Sequence, residues 1–312
     1  MRGPTSTRVR WLVVLLGVPT LCFSSLLPAC TPYSVDTGRL VVAVTLEPQA
    51  GFVEAIAGDR AEIVVMVPPG ASPHTYEVTP EQMVLLSRAK MYAKVGSGFE
   101  FELSWMDRLV AANREMLVVD CSNGVQLIEA DGDAHDEEPG DNDTGGDDLQ
   151  HSGADPHIWL SVTNARVIVR NLCEGLVQVD PANAAFYQGN CDAYVDALSL
   201  LDEELRDALE GLESRRFIVF HPAFGYFARD YNLIQVAVEQ GGNEPDAQYM
   251  VRLIREAEEY GIRVVFAAPQ LSTRSAEVVA REIGGEVVII DPLARDYISN
   301  MRAVAEAIRH LE

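Results

Sequence analysis

One feature constrains this 312-residue chain more than any other: short β-branched runs alternate with longer stretches of helical periodicity. The runs span residues 40–45, 62–67, 91–95 and 116–120 in the first half, then 216–220, 233–238, 263–268 and 286–290 in the second. The runs of the second half are near-continuously apolar, the pattern of strands buried on both faces in a parallel sheet. Two parallel-sheet α/β lobes follow, with four strands in each.

Between the two sets, Asp180-Pro181 supplies a capping carboxylate and a first-turn proline. Tyr187, Cys191, Tyr194, Leu198, Leu201 and Leu205 then recur at steps of three and four. This predicts one long amphipathic helix from about residue 181 to about residue 209, roughly 40 Å in length and able to traverse both lobes. The organisation expected is an N-terminal lobe over 39–180, a connecting helix over 181–212 and a C-terminal lobe over 213–312.

The first residues are of a different kind. Arg2, Arg8 and Arg10 precede an uncharged apolar stretch that ends at Leu27-Pro28-Ala29-Cys30, the layout of a secretory signal peptide over 1–29. Leu-x-Ala-Cys resembles the lipobox of bacterial lipoproteins, which makes Cys30 the expected lipidation site and 30–38 a tether. An uncleaved signal anchor is the alternative, because the stretch approaches the ~20 residues a spanning helix needs. Both readings place the folded part outside the cytoplasm, anchored to the cytoplasmic membrane or in the periplasm.

Loss of residues 1–29 removes three arginines and no acid, so the formal charge moves from −23 to −26, which excludes nucleic acid as a partner. The segment 129–155 carries eleven acids, several glycines, His135, His151 and no lysine or arginine, and reads as a mobile loop. Cys121, Cys173 and Cys191 remain in the exported part without any Cys-x-x-Cys pair. Cys173 and Cys191 are either disulfide-bonded or buried free thiols.

Six histidines occur, and three stand where a ligand could bind. His74 lies in the proline-stiffened stretch Pro68-Pro69-Gly70-Ala71-Ser72-Pro73-His74, after one strand and before a helix opened by Thr79-Pro80-Glu81-Gln82, a capping box with proline at its first helical position. His157 follows Asp155-Pro156 where the acidic segment gives way to apolar chain, and His221 directly follows the strand ending at Phe220. Asp291 follows the strand ending at Ile290 and, taken alone, is equally a turn or helix cap. In open parallel sheets the carboxyl ends of strands form the ligand rim. Three imidazoles and one carboxylate complete a four-coordinate set for zinc. His310, near the chain end, reads as a surface residue.

The stretches Gly70-Ala-Ser-Pro-His74-Thr-Tyr-Glu77, Asp155-Pro-His157-Ile-Trp-Leu160, His221-Pro-Ala-Phe-Gly-Tyr-Phe227 and Asp291-Pro-Leu293 occur in a familiar order. Together with Gly98-Phe99-Glu100 and the long central helix, they make the chain resemble the ZnuA/TroA-like metal-binding proteins of ABC importers. The resemblance implies two lobes joined by a rigid helix and a metal held in the interlobe cleft by His74, His157, His221 and Asp291. It further implies a monomer that delivers its cargo to a membrane permease driven by its ATPase, with no enzymatic activity. Histidine at 221, where manganese-selective relatives often carry glutamate, favours Zn2+ as the transported ligand, with Mn2+ or Fe2+ as the alternative. The acidic segment sits where zinc-binding relatives carry a histidine-rich insertion, so His135 and His151 either gather metal weakly or do nothing with it. Metal capture through neutral imidazoles is expected to weaken as the medium acidifies through the ordinary histidine range. Two rival readings are an adhesin stapled by metal and an exported zinc hydrolase, but no His-Glu-x-x-His, His-x-x-Glu-His or Gly-x-Ser-x-Gly occurs to support hydrolysis.

Overall fold

The computed structural model describes residues 38–129, 153–239, 243 and 245–310. The signal peptide, Cys30, His135 and His151 lie outside the described residues.

Eight strands form where the eight apolar runs predict them. β1 (Leu40–Val44), β2 (Ala61–Val65), β3 (Met91–Lys94) and β4 (Leu117–Asp120) build one sheet in the order β2-β1-β3-β4. β5 (Arg216–Val219), β6 (Ile234–Ala237), β7 (Val264–Ala267) and β8 (Glu286–Ile289) build the other in the equivalent order β6-β5-β7-β8. All pairings are parallel. The expectation that the second-half strands are buried on both faces holds only for the central β5 and β7. β1, β5 and β7 are almost wholly buried, whereas β4, β6 and β8 are half-open, because a strand at a sheet edge meets helices on fewer sides.

The helices are α1 (Glu47–Ala57), α2 (Pro80–Leu86), α3 (Glu100–Ala112), α4 (Val162–Val179), α5 (Ala184–Leu209), α6 (Gly225–Asp230), α7 (Ala247–Glu259), α8 (Arg274–Glu282) and α9 (Tyr297–Arg309). α2 starts on the predicted capping box: the Gln82 amide donates to Thr79 Oγ1, and the Thr79 amide to Gln82 Oε1. Gln82 Nε2 also donates to the Val65 and Met66 carbonyls, tying the far end of the His74 loop to the strand that precedes it.

α5 is the predicted connecting helix, with a later start. Residues Pro181–Asn183 wind as one tight 3-10 turn before its 26 residues, which span about 39 Å. Asp180 organises that start by accepting hydrogen bonds from Asn183 and Tyr187. Tyr187, Cys191, Val195, Leu198, Leu201, Leu205 and Leu209 form its buried face, against α1, α4 and α9. Cys121, Cys173 and Cys191 are free and buried.

One continuous apolar core runs through both lobes, and a smaller one lies under α7 and α8. Polar contacts reinforce the seam. The buried Trp159 indole donates to the Pro292 carbonyl, the Tyr226 hydroxyl to the Asp155 carbonyl, and Arg295 pairs with Glu47 and Glu54 of α1.

Glu102 anchors the first lobe from within. Its buried carboxylate accepts from the Thr45 hydroxyl and from the Val95 and Gly96 amides, joining the ends of β1 and β3 to α3. Burial pushes this carboxyl above its ordinary range, although the hydrogen bonds from Thr45, Gly96 and Val95 and the Lys94 charge act the other way. A carboxyl that holds its proton more tightly when folded contributes stability that is full below the unfolded value and is lost as pH rises through the folded one. Glu102→Gln is therefore expected to flatten the fall of urea-unfolding midpoints as pH rises above the ordinary carboxylate range.

Candidate metal site

The three histidines singled out from sequence come together. His74 and His221 have ring centroids 5.0 Å apart, and His157 and His221 5.1 Å apart, each pair nearly edge to face. With Phe99, Trp159, Gln270 and Leu293 they line one small cavity of about 30 Å³.

Each ring is held by a carboxylate. His74 Nδ1 meets Glu100 Oε2 at 2.5 Å, His157 Nδ1 meets Asp155 Oδ1 at 2.8 Å, and His221 Nδ1 meets Glu239 Oε1 at 2.5 Å. A carboxylate oxygen only accepts, so each Nδ1 carries the donating hydrogen and each neutral ring keeps its lone pair on Nε2. Metal-binding imidazoles commonly have that arrangement, with the tautomer and ring orientation fixed by the group behind.

Strand register and local turns explain how the pairs arise. Val219 lies opposite Ala237 in the β5–β6 ladder, and the Glu239 amide continues it by donating to the Phe220 carbonyl. Two residues beyond the ladder's end, His221 and Glu239 therefore stand side by side at the carboxyl ends of adjacent parallel strands. Asp155 reaches His157 through a turn in which its Oδ1 also accepts the His157 amide. Gly225 lets this turn seat against α6, since a Cβ there would stand 2.5 Å from Asp155 Oδ2. Glu100 opens α3, and Gly98, at φ +85°, makes the bend that sends Phe99 into the cavity and Glu100 towards His74.

The three carboxylates escape a search for ligands, but each left a trace in the sequence. Glu239 follows its strand just as His221 follows its own, Asp155 precedes His157 by two, and Glu100 sits in the Gly-Phe-Glu stretch.

His157 Nε2 and His221 Nε2 lie 3.2 Å apart. With both Nδ1 atoms already donating, two lone pairs face each other at that distance, and such a contact needs a proton or a cation between them. Two imidazoles on a tetrahedral zinc with bonds of ~2.0–2.1 Å would have nitrogens about 3.3 Å apart.

Asp291 does not join the histidines in their cavity. It faces an adjoining one of about 290 Å³, together with Glu47, the Pro68-Pro69-Gly70 turn and Arg295, and Gln270 and Leu293 line both. Its Oδ1 accepts from Gln270 Nε2 at 2.7 Å and from the Leu293 amide at 2.9 Å, so here the residue does act as the turn cap that its position before Pro292 allows. Among the described residues no three His, Cys, Asp or Glu side chains yet stand around a common point. His157 and His221 are at coordination spacing, and among the described residues neither His74 nor Asp291 completes a set with them. His310 is exposed and pairs with Glu306, away from the cavity.

Known proteins share this arrangement of chain. The family model described as zinc-uptake complex component A, periplasmic, matches residues 42–311. A crystal structure of ZnuA superposes with a TM-score of 0.78 at 39% identity, covering 88% of this chain and 99% of that one. A zinc-bound deletion mutant of ZnuA superposes with a TM-score of 0.79, also at 39% identity, covering 88% and 98%. The high-affinity zinc uptake system protein ZnuA of Bacillus subtilis is 29% identical over 291 residues, 89% of this chain and 88% of that protein. The fold is that of a two-lobed substrate-binding component of an importer, not of an enzyme. The chain belongs to the family of periplasmic zinc-uptake component A.

The carboxylate behind each ring supplies a direct test of the site. Glu239→Ala is expected to lower metal affinity about 10–100-fold while leaving the far-ultraviolet circular dichroism unchanged, as measured by competition with a chromophoric chelator.

Proposed function

We propose that this protein captures Zn2+ outside the cytoplasm, through His74, His157 and His221 with Asp291 as the fourth donor, and delivers it to an ABC permease. The observation that carries the assignment is the 3.2 Å approach of His157 Nε2 to His221 Nε2 while both Nδ1 atoms are committed to carboxylates. That geometry calls for a positive charge between the two nitrogens, and a divalent cation supplies it.

The donor set suits the cargo. Three nitrogens and one oxygen in a closed shell match a zinc site without an open position for an activated water, which argues for holding the ion and against hydrolysis. Manganese is the alternative cargo. It favours oxygen over imidazole, so it depends more heavily on Asp291 reaching the site.

The remaining features fit a carrier. Lipidation at Cys30 after removal of 1–29 would hold the protein at the membrane beside its permease, and the Leu-Pro-Ala-Cys sequence supports it. A monomer is enough, because the donors all come from one chain. We divide the chain at the ends of α5, with lobes over 39–180 and 213–312, because the first sheet lies entirely before that helix and the second entirely after it.

Calorimetric titration of zinc and manganese into chelator-treated protein tests this reading. One tight zinc equivalent is expected, with manganese weaker, and His221→Ala is expected to lose at least about 100-fold in zinc affinity because removal of one of four donors opens the shell. Folded apo protein that takes up neither ion, or a His221→Ala variant that binds zinc unchanged, would overturn the assignment.

A further inference from the structure

The carboxylates explain how the imidazoles are held, but not how Asp291 is brought to bear from the next cavity. We propose that Gln270 is the positioning residue for Asp291, fixing one carboxylate oxygen so that the other is presented to the ion. This rests on the reading of Asp291 as the fourth donor.

Three observations point to Gln270. It follows the carboxyl end of β7, a central strand of its sheet, and lines both the histidine cavity and the larger one beside it. Its Nε2 donates to Asp291 Oδ1 at 2.7 Å, and the Leu293 amide donates to the same oxygen at 2.9 Å, so both donors converge on Oδ1. Its Oε1 is buried and, among the described residues, has no hydrogen-bond partner.

The amide orientation follows from the chemistry, since reversing it would set a carbonyl oxygen against the carboxylate. An orphaned buried acceptor is uncommon and calls for an explanation. The polar ring atoms left in the histidine cavity are Nε2 lone pairs, acceptors like Oε1 itself. A hydrated cation brings what that cavity lacks, positive charge and water hydrogens. Gln270 thus stands to Asp291 as Glu100, Asp155 and Glu239 stand to the rings: its Nε2 orients the ligand.

A double-mutant cycle separates this from a structural role. Zinc and manganese are titrated into the chelator-treated full chain for wild type, Gln270→Leu, Asp291→Ala and the double variant, with thermal melts to confirm folding. Gln270→Met, which keeps the side-chain length, takes the place of Gln270→Leu should the latter fail to fold. Gln270→Leu is expected to weaken zinc about 10–100-fold, and manganese by more, and to add nothing in the Asp291→Ala background. Full binding by Gln270→Leu while Asp291→Ala weakens, or losses that multiply in the double variant, would overturn the role of Gln270. An Asp291→Ala variant that binds as wild type would instead remove Asp291 from the donor set, and this proposal with it.

Discussion

The structure turns on the parallel running of both sheets, which delivers the carboxyl ends of their strands to one seam. His74 comes after β2, Glu100 after β3, His221 after β5, Glu239 after β6, Gln270 after β7 and Asp291 after β8. A parallel strand ends with its side chains and backbone groups unspent, and connections to helices begin there, so polar residues gather at that edge without disturbing the core. Positions far apart in sequence thereby become neighbours, His74 with Glu100 and His221, His221 with Glu239, and Gln270 with Asp291.

That seam is packed below and more open at its mouth. Beneath the rings, Trp159 bonds to the Pro292 carbonyl and stacks edge-on against Phe99 and His157, and the apolar core continues from one lobe into the other along α5. At the mouth, His74 stands on a loop whose side chain is 29% exposed, against 9% for that of His157. His157 is well buried and His221 partly so, while His74 stands nearer solvent and the Asp291 carboxylate is held by Gln270 and the Leu293 amide.

Burial sets the character of other ionisable groups. The Cys121 thiol is pushed up to about 12 by desolvation, as is that of Cys173, so neither is a ready thiolate for soft metals.

How much of this the sequence held can be judged residue by residue. The eight strands, α5 and the capping box at Thr79 were legible because each depends on local periodicity or a few adjacent side chains. His74, His157 and His221 were legible as candidates because they stand beside strand ends or at the edge of packed chain, and the resemblance to metal-binding proteins of importers named Asp291 with them. Which imidazoles meet at 3.2 Å, which carboxylate stands behind each ring and which cavity Asp291 faces depend on register between strands and on the docking of two lobes. Such distances join residues as far apart as His157 and His221, and no local pattern encodes them. The chain fixed which donors were available, and only tertiary packing, by choosing their partners and separations, decided how they are held.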